Sequence, residues 1–230
     1  MTSSKALLGI SSMATRALLV DLMLAHEQRG GPAVAMQSVG GVDAARRVAA
    51  GEAFDVVVLA SDAIERLLAQ GHLLADSRVD LVRSCVAAAW PAGQAAPDLS
   101  SEAVLRAAVL AAPSVGYSTG PSGTALLQRF AQWGIAEQVQ AKLVQASPGV
   151  PVGSMVATGQ VALGFQQLSE LMGLPGIAYA LLPEAAKIET VFSGAVAGTS
   201  AQPEAVRQML AYWASPETSA IKARHGMDAA

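Results

Sequence analysis

Residues 115–124 read Val115-Gly116-Tyr117-Ser118-Thr119-Gly120-Pro121-Ser122-Gly123-Thr124, and the run Ala125 to Trp133 continues from them at helical spacing. This is a short buried strand, a tight turn of glycines and hydroxyls, then a helix. Ser122, Gly123 and Thr124 are expected to carry the helix's first free N–H donors. Such a start offers unpaired backbone donors and the positive end of the macrodipole to an anion. No lysine follows where a Walker loop needs one, and no Gly-x-Gly-x-x-Gly opens a dinucleotide site. The nucleophile elbow Gly-x-Ser-x-Gly is missed by one place, which argues against hydrolase chemistry.

The same design recurs at the front of the chain. Lys5 to Ile10 is a candidate strand with Ser11 and Ser12 at its end, and Ala14 to Glu27 then carries Leu18, Leu19, Leu22 and Met23 at helical spacing. Val34 to Val39 is the second strand, closed by Ser38-Val39-Gly40-Gly41 before a helix from Asp43. Phe54 to Ala60 is apolar throughout, as a parallel strand buried on both faces is, and Ser61-Asp62 read as the cap of the next helix. Three strand–helix units in succession imply a parallel sheet with right-handed crossovers. Ligands of such sheets sit beyond the carboxyl ends of the strands, where Ser11, Ser12, Ser38, Gly40, Gly41, Ser61 and Asp62 would lie.

Further on, Val79 to Trp90 is a strand and Pro91 to Pro97 a loop. A capped helix spans Ser100 to Ala111, and Glu137 to Leu143 reads as a short helix. The turn Ser147 to Pro151 precedes a helical stretch from Val152 to Thr158. Val161 to Gln167 is a strand carrying two amides, Gln166 and Gln167, which a buried strand tolerates only with partners. Ile177 to Leu182 and Glu189 to Ala197 are strands, and Pro203 to Ala214 and Pro216 to Arg224 are closing helices with proline in the first turn.

Composition narrows the function. The 230 residues are 52% hydrophobic and 14% charged, which excludes a disordered chain. A net charge of −3 without a Lys/Arg cluster leaves no basic footprint for nucleic acid. No apolar run reaches the roughly 18 residues that cross a bilayer, so no membrane insertion is expected. Cys85 is the single cysteine, so no internal disulfide or Cys/His metal spacing exists, and neither metal nor cofactor is expected. Met1 to Lys5 lead straight into a strand-length run without the features of a secretory signal. A cytoplasmic location follows for the sequence as it stands, and a periplasmic one if this is a mature form given a new Met.

In order and spacing these pieces resemble type II periplasmic binding proteins, in the molybdate-binding branch of ABC transporter receptors. The matching residues are Ile10-Ser11-Ser12, Ser38-Val39-Gly40-Gly41, Gly51 to Val58 and Ser61-Asp62, then Gly120-Pro121-Ser122-Gly123, Gly159 to Phe165 and Trp213 to Thr218. The resemblance implies an α/β fold of two lobes with a ligand cleft between them, residues 1–80 with 191–230 forming one lobe and 81–190 the other. It implies a small anionic ligand held by hydroxyls and backbone N–H groups: Ser11, Ser12, Ser38, Gly40, Gly41, Ser122, Gly123, Thr124, Val152, Gln166 and Gln167. It also implies an ABC permease as partner if the protein is exported. Receptors of this branch tend to carry tyrosine where Gln166-Gln167 stand. The amides and the open glycine turn suit a larger ligand such as a polycarboxylate.

The branch includes an aconitate isomerase, so a cofactor-free isomerase using the same cleft is the alternative. Its base is not identified by the sequence; Tyr117, Glu170 and Asp43 are candidates. Arg83, in an apolar strand, reads as either a surface arginine or a carboxylate clamp. His26, His72 and His225 form no constellation and read as surface residues. Met155, Met172 and Met209 read as core.

Overall fold

Apolar strands alternating with helices give an α/β chain in the computed structural model, which describes residues 6–147 and 149–230. Lys5 at the head of the expected first strand, the segment before it, and Pro148 of the expected turn lie outside the described residues. The elements in order are β1 (Leu7–Ser12), a 3-10 turn leading into α1 (Arg16–Gln28), β2 (Val34–Val39), α2 (Gly41–Ala49), β3 (Val56–Ala60), α3 (Ser61–Ala69) and β4 (Val79–Pro91). There follow α4 (Glu102–Ala111), β5 (Val115–Tyr117), α5 (Pro121–Gln132), α6 (Ala136–Gln140), β6 (Leu143–Gln145), α7 (Val152–Ala157), β7 (Leu163–Gln167) and α8 (Leu168–Leu171). The chain ends with β8 (Ile177–Leu181), β9 (Glu189–Val196), α9 (Pro203–Ala214), α10 (Ser219–Arg224) and β10 (Met227–Ala229). No helix among the described residues is long and apolar enough to cross a membrane.

The chain divides into two compact units, one of Met1–Ser84 with Val191–Ala230 and one of Cys85–Thr190. In the first, β1 lies between β2 and β3 in parallel register, with Ser11 opposite Ser38, and β9 pairs antiparallel with β3. Alternate side chains of β3 feed two apolar layers. Val56 and Val58 join Leu18 and Leu22 of α1 and Met209 and Trp213 of α9. Val57 and Leu59 join Val48 of α2 and Ile64 and Leu67 of α3. Burial on both faces is why this strand has no polar alternation. Asp55, just before it, accepts from Leu8 N–H at 2.9 Å and from Ser200 Oγ at 2.7 Å.

In the second unit, β5 runs parallel to β6 on one side and to β7 on the other, and β7 pairs antiparallel with β4. Gly116 of β5 lies opposite Gly164 of β7. A Cβ at Gly164 would come within 2.8 Å of Val152 and one at Gly116 within 3.0 Å, so the absent side chains let α7 lie directly on the sheet. Phe130 and Phe165 pack edge-on in the opposite layer, with ring centroids 6.4 Å apart.

Several expectations change. The helix expected over Glu137 to Leu143 stops at Gln140, because Leu143–Gln145 pairs with β5 as an edge strand. Ser61 and Asp62 are not caps: they lie inside α3, and Asp62 instead pairs with Arg66 at 2.8 Å. Met155 and Met209 are buried, but Met172, just past α8, is exposed. Arg83 is exposed on β4, opposite Asp228 of β10.

His26 is not a surface residue. It is 8% exposed, stacks on Tyr212 with centroids 6.0 Å apart, and its Nε2 has no hydrogen-bond partner. Gly31 packs directly on the ring, where no Cβ would fit. Burial disfavours the imidazolium and lowers the His26 pKa. The folded state therefore binds fewer protons than the unfolded chain, whose histidines titrate near about 6.5. The His26 contribution to stability is complete above that pH and falls as the medium is acidified toward the depressed pKa. Melting curves should show this loss below about pH 6.5, and His26→Gln should reduce it. An unchanged acid slope would exclude His26 as its source.

Candidate functional site

The strand ends position two sets of neutral donors, one on each unit. In the first unit the parallel register of β1 and β2 brings Ser11 beside Ser38, with their Oγ atoms 2.9 Å apart. One hydroxyl proton bridges the two oxygens, which leaves the pair one O–H to donate elsewhere. Ser12 is 7% exposed, and its Oγ is buried without a partner. A Cβ on Gly41 would lie 3.7 Å from that of Ser12, so the head of α2 sits against this serine. Gly40 occupies the N-cap of α2 with no side chain to satisfy the first N–H groups. Ser11, Ser12, Ser38, Gly40 and Gly41 are thus brought together.

In the second unit Ser118 follows β5, and its Oγ lies 3.0 Å from that of Ser122 in the first turn of α5. This pair too retains a spare O–H. The donors expected at Gly123 and Thr124 are engaged within the turn, since both N–H groups reach Gly120 O, at 3.0 and 3.2 Å. Pro121 forces this tight closure, because it fixes the backbone while contributing no N–H of its own. What α5 presents is therefore the serine pair more than a row of amides.

Gln166 and Gln167 are each 3% exposed. Gln166 Oε1 accepts from Gly153 N–H at 3.2 Å, so its oxygen closes the first turn of α7. Val152, expected as a donor, is fully buried and begins that helix. Gln167 Nε2 donates to Thr190 Oγ1 at 2.8 Å, while its Oε1 is buried without a partner. Glu170, on α8, is half-buried and hydrogen-bonded by Gln166; burial pushes its carboxyl up to about 7.

Of the candidate bases, Asp43 is an exposed partner of Arg46. Tyr117 packs partly into the apolar layer around Phe130. Glu170 alone has an environment that would hold a proton near neutrality. Sequence reasoning missed Ser118 and Thr190 as partners. The four-residue spacing of Ser118 and Ser122 across a Gly-Pro turn was the available signal for the first. Among the described residues no group of three His, Cys, Asp or Glu side chains could hold a metal ion.

Comparison with known proteins agrees with this architecture. The chain is 39% identical to an aconitate isomerase of a Pseudomonas species over 175 residues, which is 75% of this chain and 66% of that protein. It therefore spans just under two thirds of that relative's length. The periplasmic molybdate-binding protein of Azotobacter vinelandii superposes with a TM-score of 0.78 over 96% of this chain and 98% of its own, at 21% identity. A sulfate-binding protein of Mycobacterium tuberculosis gives 0.79 over 97% and 86%, at 16% identity. The expected periplasmic-binding-protein fold is the fold found. Residues 7–228 match the bacterial extracellular solute-binding proteins, and the chain belongs to that family.

Proposed function

We propose that the protein is a receptor for a small anion, an oxyanion or a polycarboxylate, recognised by hydroxyls rather than by cations. The observation that carries this reading is the pair of serine bridges, Ser11–Ser38 at 2.9 Å and Ser118–Ser122 at 3.0 Å, each at the carboxyl end of a parallel strand and near a helix start. Each bridge has one O–H left to give, and an anion is the acceptor for which such donors are strongest. The names of its structural neighbours, which bind molybdate and sulfate, support the same class. An ABC permease would be the partner of an exported form.

Thermal shift against molybdate, tungstate, sulfate, citrate and aconitate tests the reading, since binding stabilises by RT ln(1 + [L]/Kd). At least one of these should raise the melting temperature at millimolar concentration. The double variant Ser118→Ala/Ser122→Ala should weaken the best ligand by about 2 kcal/mol, roughly 30-fold in Kd. No shift with any of the five would reject the reading.

A second reading has its own support. Glu170 could remove a proton from a methylene beside a carboxylate, the electrons forming a new double bond while the old one is reprotonated at its far carbon. Hydroxyl donors would stabilise the enolate formed on the way. The carboxyl held near 7 and the 39% identity to an aconitate isomerase favour this. Aconitate incubated with the protein in deuterated water should then change its double-bond geometry and gain deuterium. Neither event in the NMR spectrum would remove the enzymatic reading and leave the receptor.

A further inference from the structure

The carboxyl edge of the second unit collects more than donors. Strands β5 and β7 are parallel with Tyr117 opposite Phe165, so Ser118 and Gln166 leave the sheet side by side. Helices α5 and α8 begin there, and so does α7, because Gly153 N–H reaches Gln166 Oε1 at 3.2 Å. The amide of Gln166 is thereby oriented, with its oxygen on α7 and its nitrogen left for the carboxyl of Glu170.

Across β5, β6, β7, α7 and α8 the titratable side chains are Tyr117 and Glu170 alone. In this unit β4, which pairs with β7, carries Cys85, directed to Glu189, and β8 carries Tyr179; no charged side chain acts on Glu170. Arg129, at the far end of α5, is committed to the carbonyls of Ala185 and Lys187 and to Glu102. An ionised Glu170 would therefore be an uncompensated negative charge on an edge built to receive another. Like charges in a desolvated setting cannot both persist, and the weaker acid takes a proton.

We propose that Glu170 takes up a proton from solvent when this edge binds a carboxylate, and that its O–H then donates to a ligand carboxylate oxygen. The ligand class that follows is a small carboxylic acid. An oxygen of a carboxylate is close to Glu170 in proton affinity, whereas sulfate is the anion of a stronger acid and a poorer acceptor. This inference rests on the anion reading of the preceding section. Its physical basis is reciprocal linkage: a carboxyl that is half protonated near neutrality gains protons as the anion binds, and protonation in turn tightens the anion.

Calorimetric titration of the protein with citrate and with trans-aconitate at about pH 8, in two buffers of different ionisation enthalpy, counts the protons taken up. The expected result is uptake approaching one proton per ligand, with Kd weakening about tenfold per pH unit above neutrality. Glu170→Gln, a neutral isostere of the protonated acid, should bind without proton uptake and with a flat pH profile. Sulfate titrated into the same protein serves as the comparison and should bind more weakly than either carboxylate. Carboxylate binding by the native protein with no proton uptake would overturn the proposal and leave anion binding intact. The same would follow if Glu170→Gln kept the native pH slope. Failure of citrate, aconitate and sulfate alike to bind would overturn the anion reading itself, and this proposal with it.

Discussion

Replacing Lys222 with methionine should stabilise the protein by about 2 kcal/mol, read as a higher denaturant midpoint at unchanged slope. Lys222 lies on α10, which packs against α1, and it is 1% exposed. Its Nζ is buried without a hydrogen-bond partner. Its neighbour Ile221 belongs to the apolar layer around Trp213 and Leu22. An amine there loses its hydration and receives nothing in exchange, so burial lowers its pKa. Methionine keeps the unbranched length and removes the polar end.

The sign of the pH effect follows. An unfolded lysine titrates near about 10.4, and the folded state holds fewer protons below that value. The Lys222 contribution to stability is therefore complete above that pH and is lost as pH falls toward the depressed pKa. Lys222→Met should remove that component of the slope. A variant no more stable than the native protein, or one that keeps the slope, would show that Nζ is satisfied in solution.

Gly123→Ala should have the largest effect in the second unit. A Cβ there would lie 1.9 Å from the carbonyl oxygen of Ser118, a backbone atom that cannot rotate aside. The methyl must push apart the turn that holds the Ser118–Ser122 bridge at 3.0 Å. We expect a loss of about 3 kcal/mol in denaturant unfolding and abolition of the ligand-dependent thermal shift. Gly120→Ala is the matched control. Gly120 has φ of −84°, and the nearest atom to its added Cβ would be Ser118 Oγ at 3.9 Å. It should cost less than about 1 kcal/mol and preserve binding. Equal damage from both substitutions would mean that the turn tolerates no side chain anywhere, and the close approach at Gly123 would explain nothing.

The α/β order is legible in the sequence wherever an element must satisfy one strong pattern. Val56–Ala60 are apolar at every position because both faces are covered, and Pro203 marks the first turn of α9 as its fixed backbone angle requires. Gln166 and Gln167 are conspicuous for the opposite reason, as amides in a strand with no water to satisfy them. What each amide binds is not legible. Gly153 and Thr190 stand 13 and 23 residues from their glutamine partners, and only the folded register selects them. The free donors expected at Gly123 and Thr124 fail because a proline turn consumes them locally, whereas the hydroxyl of Ser118 becomes important through a bridge that depends on how that turn curls. His26 stands four residues after Leu22, on the inward stripe of α1, so the helical period marks it as buried and only its residue type suggests the surface. Its burial comes from Tyr212, nearly the whole chain away. Three-residue strands such as β6 and β10 are too short to carry any periodicity of their own.

The two side-chain-free positions beneath α7, Gly116 and Gly164, have an evolutionary consequence. Helix α7 rests on them, and through Gly153 it sets where the oxygen of Gln166 is anchored. One added methyl at either place would lift the helix and re-aim that amide without altering any group that meets solvent. If Gln166 meets the proposed anion, ligand preference would drift by mutation from behind the sheet, where no group that contacts the ligand has changed.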